Sequence, residues 1–210
     1  LVISSTRGLC GAYNANVLRQ AMRFIRQMDA SEQLDLEVVG KKALTYFRFN
    51  GLPIAEHHTQ FGEKPAYEEI ERLAQQYMDR FTEGRYDGVH VCYMAFRSMS
   101  KQEPEIARLL PAENPAERAG GRAQPTDYEF SPDAETLLGQ MLPITVKTQL
   151  FQCFNEAVVS EQLARMVAMK GATDAAGRMK KDLNRQYNRA RQAAITTELN
   201  EIIGGAQALQ

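Results

Sequence analysis

Cysteine is scarce and scattered: Cys10, Cys92 and Cys153 are the only three in 210 residues, an odd number at wide spacing. That pattern excludes a disulfide framework and a thiolate metal cluster, and it points to a reducing compartment. Histidine offers no metal site either. His57 and His58 are adjacent, so on a strand they face opposite sides, and His90 has no partner near it in sequence. No run reaches the ~18 apolar residues needed to cross a bilayer. An excess of one charge is missing too; a formal net charge of −1 weighs against nucleic-acid binding. Also lacking are a Gly-x-Gly-x-x-Gly stretch, a Gly-Lys-Ser/Thr stretch, and any Ser/His/Asp or Cys/His set at a recognisable spacing. Neither a metal nor an organic cofactor is therefore expected. The chain opens on Leu1-Val2-Ile3 without a methionine, a basic leader or a cleavage site, and so reads as the middle of a longer protein.

Proline is absent after Pro143, and the glycines beyond it are only Gly171, Gly177, Gly204 and Gly205. Strong helix formers fill the space between them. A single helix from Ile144 to Ile203 would be roughly 90 Å long at about 1.5 Å per residue, longer than the core of any domain this chain could build. Apolar residues recur in steps of three and four: Leu150, Phe154, Ala157, Ala164, Ala168, Ala172, Ala175, Met179, Leu183, Tyr187, Ala190 and Ala194. The stripe is narrow and alanine-rich, which suits close approach of a second helix in a coiled coil. From Leu163 to Ala193 the helix carries eight basic residues, Arg165, Lys170, Arg178, Lys180, Lys181, Arg185, Arg189 and Arg191, against only Asp174 and Asp182. Tyr187 is the one aromatic in that belt, so base stacking is excluded and an acidic protein surface is the expected partner.

The first 143 residues alternate short apolar runs with helical ones. Leu1–Ser5 reads as a strand, Tyr13–Met28 as a helix, Leu34–Val39 as a strand and Lys41–Phe47 as a short helix. Leu52–Phe61 reads as extended chain with His57 and His58. A helix from Pro65 to about Phe81 follows, with Glu68, Glu69 and Glu71 near its positive end. Val89–Phe96 is a further strand. In Ser98–Leu110 the Ser100–Pro104 stretch breaks any regular pattern, and an extension of the sheet is the reading offered. Pro111–Pro125 is a surface loop, Asp127–Phe130 a short strand, and Ala134–Met141 a helix that Pro143 separates from the long one. The alternation implies an α/β sheet with crossover helices, residues 1–143 forming a Rossmann-like domain and residues 144–210 a long helical extension. The turn Gly8-Leu9-Cys10-Gly11 follows the first strand, where such folds bind phosphate. Without the signatures named above it is expected only to join strand to helix, with Cys10 as a small buried residue rather than a reactive thiol beside Arg7.

Two stretches carry a family resemblance. Thr6-Arg7-Gly8-Leu9-Cys10-Gly11 followed by Tyr13-Asn14-Ala15-Asn16 is similar to the Asp-Arg-Gly-Leu-Cys-Gly…Asn-x-Asn stretch of the rotary F-type ATP synthase gamma subunits. The run Ser160–Asp174, continuing through Tyr187–Leu199 into Glu201-Ile202-Ile203-Gly204-Gly205-Ala206, resembles the terminal helix of that family almost position by position.

The resemblance implies a Rossmann-like foot beside the membrane rotor ring and the epsilon subunit, and a C-terminal helix that forms half of an antiparallel coiled coil. That shaft enters the hexamer of alpha and beta subunits and transmits rotation; the subunit itself makes and breaks no bond. By the same resemblance Arg191, Gln192, Thr196, Glu198 and Glu201 contact the catalytic subunits. Arg165, Lys170, Arg178 and Lys181 face acidic loops, and Tyr128 faces the ring. The expected location is peripheral, on the cytoplasmic face of an energy-transducing membrane or on the matrix or stromal face in an organelle. No nucleic acid is bound and no segment is inserted in the bilayer. The family's N-terminal shaft helix is missing, which implies a fragment. Thr6 stands where the family usually has Asp, and Ser131 replaces a common acidic residue at the foot. No cysteine lies in Pro111–Pro125, so the thiol switch of chloroplast members is not expected. The alternatives are a Rossmann-like nucleotide-dependent enzyme with a dimerising helix, and a coiled-coil adaptor for an acidic partner.

Overall fold

The computed structural model describes residues 1–28, 33–62, 64–112 and 134–207. Among them five strands form one sheet: β1 (Val2–Ile3), β2 (Glu37–Val39), β3 (Glu56–His58), β4 (Val89–Ser98) and β5 (Lys101–Leu110). Helices α1 (Tyr13–Gln27), α2 (Lys41–Phe49) and α3 (Tyr67–Thr82) connect the first four strands, and α4 spans Ala134–Gln207. The strand order is β3-β2-β1-β4-β5. The first four strands are parallel and β5 is antiparallel to β4.

The layering follows from chain direction. β1, β2 and β3 step one way across the sheet, so right-handed crossovers place α1 and α2 on the same face. The return from β3 to β4 reverses direction and sends α3 to the opposite face. Two apolar cores result. On one face α1 (Tyr13, Val17, Leu18, Ala21, Met22) and α2 (Ala43, Phe47) cover Val2, Val38, Cys92 and Met94. On the other, α3 (Ile70, Leu73, Ala74, Tyr77) and the first half of α4 (Val146, Leu150, Cys153, Phe154, Ala157) cover Ile3, Val39, Val91, Tyr93 and Ala95. Adjacent strand residues go to opposite cores, as the pleat requires.

β1 and β2 are locked where α2 begins. Ser4 Oγ donates to Val39 O at 2.9 Å and accepts from Ala43 N–H at 2.9 Å, satisfying a donor of α2's first turn. Gly40 makes this possible. Its φ is +88°, and a Cβ there would stand 2.3 Å from Ser4 O, so a side chain at this position would break the crossing.

One sequence expectation is sharpened and one revised. The sheet does extend into the irregular 98–110 segment, where Lys101–Leu110 is a full ten-residue strand paired with β4 from Ser98↔Lys101 to Val89↔Leu110. Pro104 is tolerated because, among the described residues, β5 pairs only with β4 and lies at the sheet edge. Pro143 does not divide two helices; α4 runs through it. An internal proline removes the bond to the carbonyl four residues back, that of Gly139, at a cost of ~3 kcal/mol. Gly139 is exposed, so water can serve its carbonyl. Burial of Val146, Leu150 and Phe154 on the following turns outweighs the loss. The Asp127–Phe130 strand, Tyr128 and Ser131 lie outside the described residues.

The chain divides into two compact units, Leu1–Met166 and Val167–Gln210. The first holds the sheet, α1 to α3, and α4 up to Met166. The second is α4 from Val167 onward, and every residue from Met169 to Ala206 is exposed.

Candidate functional site

The surface of the second unit is that of a two-sided helix. At about 100° per residue, Ala168, Ala172, Ala175, Met179, Leu183, Tyr187, Ala190 and Ala194 fall on one face. Met179, Leu183 and Tyr187 are 64%, 56% and 66% exposed. Lys170, Lys181 and Arg185 fall on roughly the opposite side, with Arg178 beside them. Arg185 pairs with Asp182 at 2.7 Å, an exposed contact of little energetic weight. Among the described residues Lys170, Arg178 and Lys181 form no ion pair.

The five residues expected at the catalytic subunits are all exposed on this unit. They wrap around the helix rather than forming one patch. Gln192 and Thr196 are one turn apart on one side, with Thr196 Oγ1 donating to Gln192 O at 2.8 Å. Arg191 and Glu198, seven residues apart, share a neighbouring side, and Glu201 points nearer the alanine-rich face.

Arg165 stands apart from the other basic residues. Only 18% of its side chain is exposed. It pairs with Glu161, donates to Gln162 Oε1 at 3.0 Å, and reaches Gly8 O at 3.4 Å. Arg165 therefore ties α4 to the β1–α1 turn. Two more contacts of α4 reach the carboxyl end of β4. Ser160 Oγ donates to Met94 O at 3.2 Å, and Phe96 N–H donates to Glu156 Oε2 at 3.1 Å. The sequence pattern gives no hint of Glu156 or Ser160 as anchors, because both read as ordinary helix residues.

The β1–α1 turn is organised from within. Leu9 and Gly11 have left-handed φ values of 63° and 55°. Asn14 Oδ1 accepts Ser5 N–H at 3.0 Å, and Asn14 Nδ2 donates to Ser5 Oγ at 2.7 Å and to Cys10 Sγ at 3.0 Å. Cys10 is buried. Ser5 N–H, which a phosphate would need, is already used by Asn14.

A second polar constellation lies between β2, β3 and α3, and no sequence pattern announces it. Glu37 is 4% exposed. Its Oε2 accepts from Tyr77 OH at 2.6 Å and lies 2.8 Å from His58 Nε2, while Oε1 accepts from Arg80 at 3.1 Å. Parallel pairing sets Glu37 beside Glu56, and the two-residue repeat of β3 puts His58 on that same face. Burial raises the Glu37 pKa, but the hydrogen bonds from His58 and Tyr77 prevail, and the carboxyl titrates below its ordinary range. Burial, with the Glu37 charge next to it, drives the Tyr77 phenol far up. Glu37 was missed because its partners lie 21, 40 and 43 residues away.

Among the described residues no helix is long and apolar enough to cross a membrane. A family model described as ATP synthase matches residues 1–209. The ATP synthase gamma chain of Rhodopirellula baltica is 42% identical over all of this chain and 73% of its own length. That of Anaeromyxobacter sp. is 40% identical over all of this chain and 72% of its own. Among solved structures, Euglena gracilis mitochondrial ATP synthase in rotational state 3 aligns over 99% of this chain and 71% of its own, with TM-score 0.66 and 19% identity. The central stalk and c-ring structure of the Tetrahymena thermophila enzyme aligns over 82% of this chain and 74% of its own, with TM-score 0.57 and 22% identity. Those two likenesses concern the fold; the identity to the curated relatives extends over the whole sequence, and by it the chain belongs to the ATP synthase gamma-chain family.

Proposed function

We propose that this chain is the rotor element of an ATP synthase central stalk, with α4 as the shaft and the sheet domain as its mount. One observation carries the reading: from Met169 to Ala206 every residue of a long helix is exposed, with alanines and large apolar groups on one face and a basic belt opposite. Left to solvent, such a helix would have little to stabilise it beyond its own backbone bonds. An antiparallel helix on the alanine-rich face and acidic protein loops on the basic one would supply what is missing. The partners on this reading are the alpha and beta subunits around the shaft, and the epsilon subunit and membrane ring at the mount. The chain itself carries no catalytic group, and it sits at the membrane peripherally, through the ring. Lys170, Arg178 and Lys181 face the acidic loops. Arg191, Gln192, Thr196, Glu198 and Glu201, spread around the helix, meet different subunits of the surrounding collar rather than a single one. Tyr128 is assigned to the ring side.

Rotation requires that torque pass between mount and shaft. Arg165, Glu156 and Ser160 bind α4 to the ends of β1 and β4, and Leu150, Phe154 and Ala157 embed it in the core, so the part of α4 within the first unit is fixed to the sheet. A nucleotide-dependent enzyme is disfavoured by the same contacts. They meet at the carboxyl ends of β1 and β4, the crevice where the strand order reverses and where open α/β sheets bind ligands.

The test is reconstitution. The complete subunit should assemble with alpha and beta subunits and restore coupled turnover, and Arg191→Ala with Gln192→Ala should lower that turnover about tenfold or more, from the ~1.5–3 kcal/mol of a charge-assisted contact. Failure to assemble would remove the reading; unchanged turnover would remove the assignment of those two residues.

A further inference from the structure

We propose that His58 and Glu56 form a binding site for a divalent transition-metal ion of the zinc class, with Glu37 orienting the imidazole. His58 is 2% exposed, and its Nε2 faces Glu37 Oε2 at 2.8 Å. The carboxylate of Glu37 can only accept, so Nε2 carries the hydrogen, and in the uncharged ring the lone pair is on Nδ1. That nitrogen is buried and has no hydrogen-bond partner among the described residues. What it faces is another electron-pair donor, Glu56 Oε1, at 3.5 Å. A buried imidazole nitrogen and a half-exposed carboxylate oxygen directed at each other at a sheet edge call for a cation between them.

The spacing suits a metal ion. Nitrogen and oxygen ligands about 2.0–2.1 Å from a tetrahedral ion stand about 3.4 Å apart, close to the separation here. The arrangement behind His58 is also that of metal centres, in which a ligating imidazole donates its other N–H to a carboxylate that fixes tautomer and ring angle. One ligand atom each from Glu37, Glu56 and His58 lies within 4.8 Å of the others. Arg80 does not close the site. It holds Glu37 Oε1 at 3.1 Å and approaches the other oxygen of Glu56, Oε2, at 3.9 Å, leaving Oε1 directed at His58. Among these side chains two carboxylates face a single guanidinium, which favours cation entry. Glu56 is half exposed, so water can complete the coordination sphere from outside. Two protein ligands imply modest affinity, in the micromolar range rather than that of a closed four-ligand site.

The experiment titrates Zn²⁺ and Co²⁺ into the full chain, followed by calorimetry for zinc and by visible absorption for cobalt. One saturable site is expected, weakened at least tenfold in Glu56→Gln and in His58→Gln and unchanged in His57→Gln, whose side chain leaves the opposite side of β3. Glu56 lies at the surface, so its variant keeps the test sound should His58→Gln fail to fold. Absence of saturable binding overturns the proposal. So does binding that survives both Glu56→Gln and His58→Gln, or nitrogen NMR in the presence of zinc showing a proton rather than the metal on Nδ1.

Discussion

The joint between mount and shaft can be tested at a single ring. Phe154 is 1% exposed and packs on Phe61 with ring centroids 4.6 Å apart, inside the core that α3 and α4 build over the sheet. Phe154→Ala removes the ring from a site whose neighbours, Leu150, Cys153 and Ala157, belong to the same helix and cannot collapse to fill it. A substitution of this kind costs ~3–5 kcal/mol, of which ~0.5–1.5 is the aromatic pair itself. For a unit of this size each kcal/mol moves the midpoint by ~2–4 °C, so a loss near 4 kcal/mol lowers it by roughly 8–16 °C.

The assay follows from composition. The chain has no tryptophan, and Tyr13, Tyr77 and Tyr93 are buried in the first unit, so tyrosine emission during urea or thermal unfolding reports on the sheet domain. Met179→Ala on the same helix is the control. Met179 is 64% exposed, and a substitution there should stay within ~0.5 kcal/mol for the isolated chain. If Phe154→Ala costs under ~1 kcal/mol, or if the two variants cost the same, α4 is not anchored by this core and the account of the joint fails.

Two further predictions concern buried polar and thiol groups. Burial pushes the Cys92 and Cys153 thiols from about 9 up to about 12, so the unfolded chain binds fewer protons between those values; the stability they contribute is intact below about pH 9 and is lost as pH rises to 12. Replacing both with alanine should abolish roughly 2–3 kcal/mol of the loss in unfolding free energy between pH 8 and pH 10, and equal pH slopes for variant and parent would contradict this. Tyr77→Phe should cost about 1.5–2 kcal/mol through its 2.6 Å bond to the Glu37 carboxylate, and less than ~0.5 kcal/mol when introduced into Glu37→Gln; additive costs in that cycle would mean the two groups are not coupled.

Elements whose signal is local were legible in the sequence. β1, α1, β2, α2, α3 and β4 fall within a few residues of their predicted places, since each has its own periodicity and glycine or proline boundaries. β5 was obscured because charged and apolar residues alternate irregularly around Pro104, and only pairing with β4 makes the segment a strand. Pro143 misled in the other direction: a local breaker was overruled by apolar burial one and two turns later. The buried Glu37 cluster was invisible for a different reason. A glutamate in Leu34-Asp35-Leu36-Glu37-Val38-Val39 reads as the polar half of an alternating strand, and only the parallel register and α3 bring Glu56, His58, Tyr77 and Arg80 around it.

The same contrast explains how a phosphate-binding topology comes to hold a shaft. The sheet keeps the strand reversal between β1 and β4, and with it the crevice that related architectures give to a ligand. Here the groups lining that crevice are met by the chain's own side chains. Asn14 takes Ser5 N–H, Arg165 takes Gly8 O, Ser160 takes Met94 O, and Glu156 takes Phe96 N–H. Each is a backbone group that would otherwise need water or a ligand. The turn between β1 and α1 carries the most recognisable residues of the sheet domain, yet its donors and acceptors are directed at α1 and α4. On this geometry the turn is a socket for α4, and substitutions in it should loosen the helix before they alter any binding of small molecules.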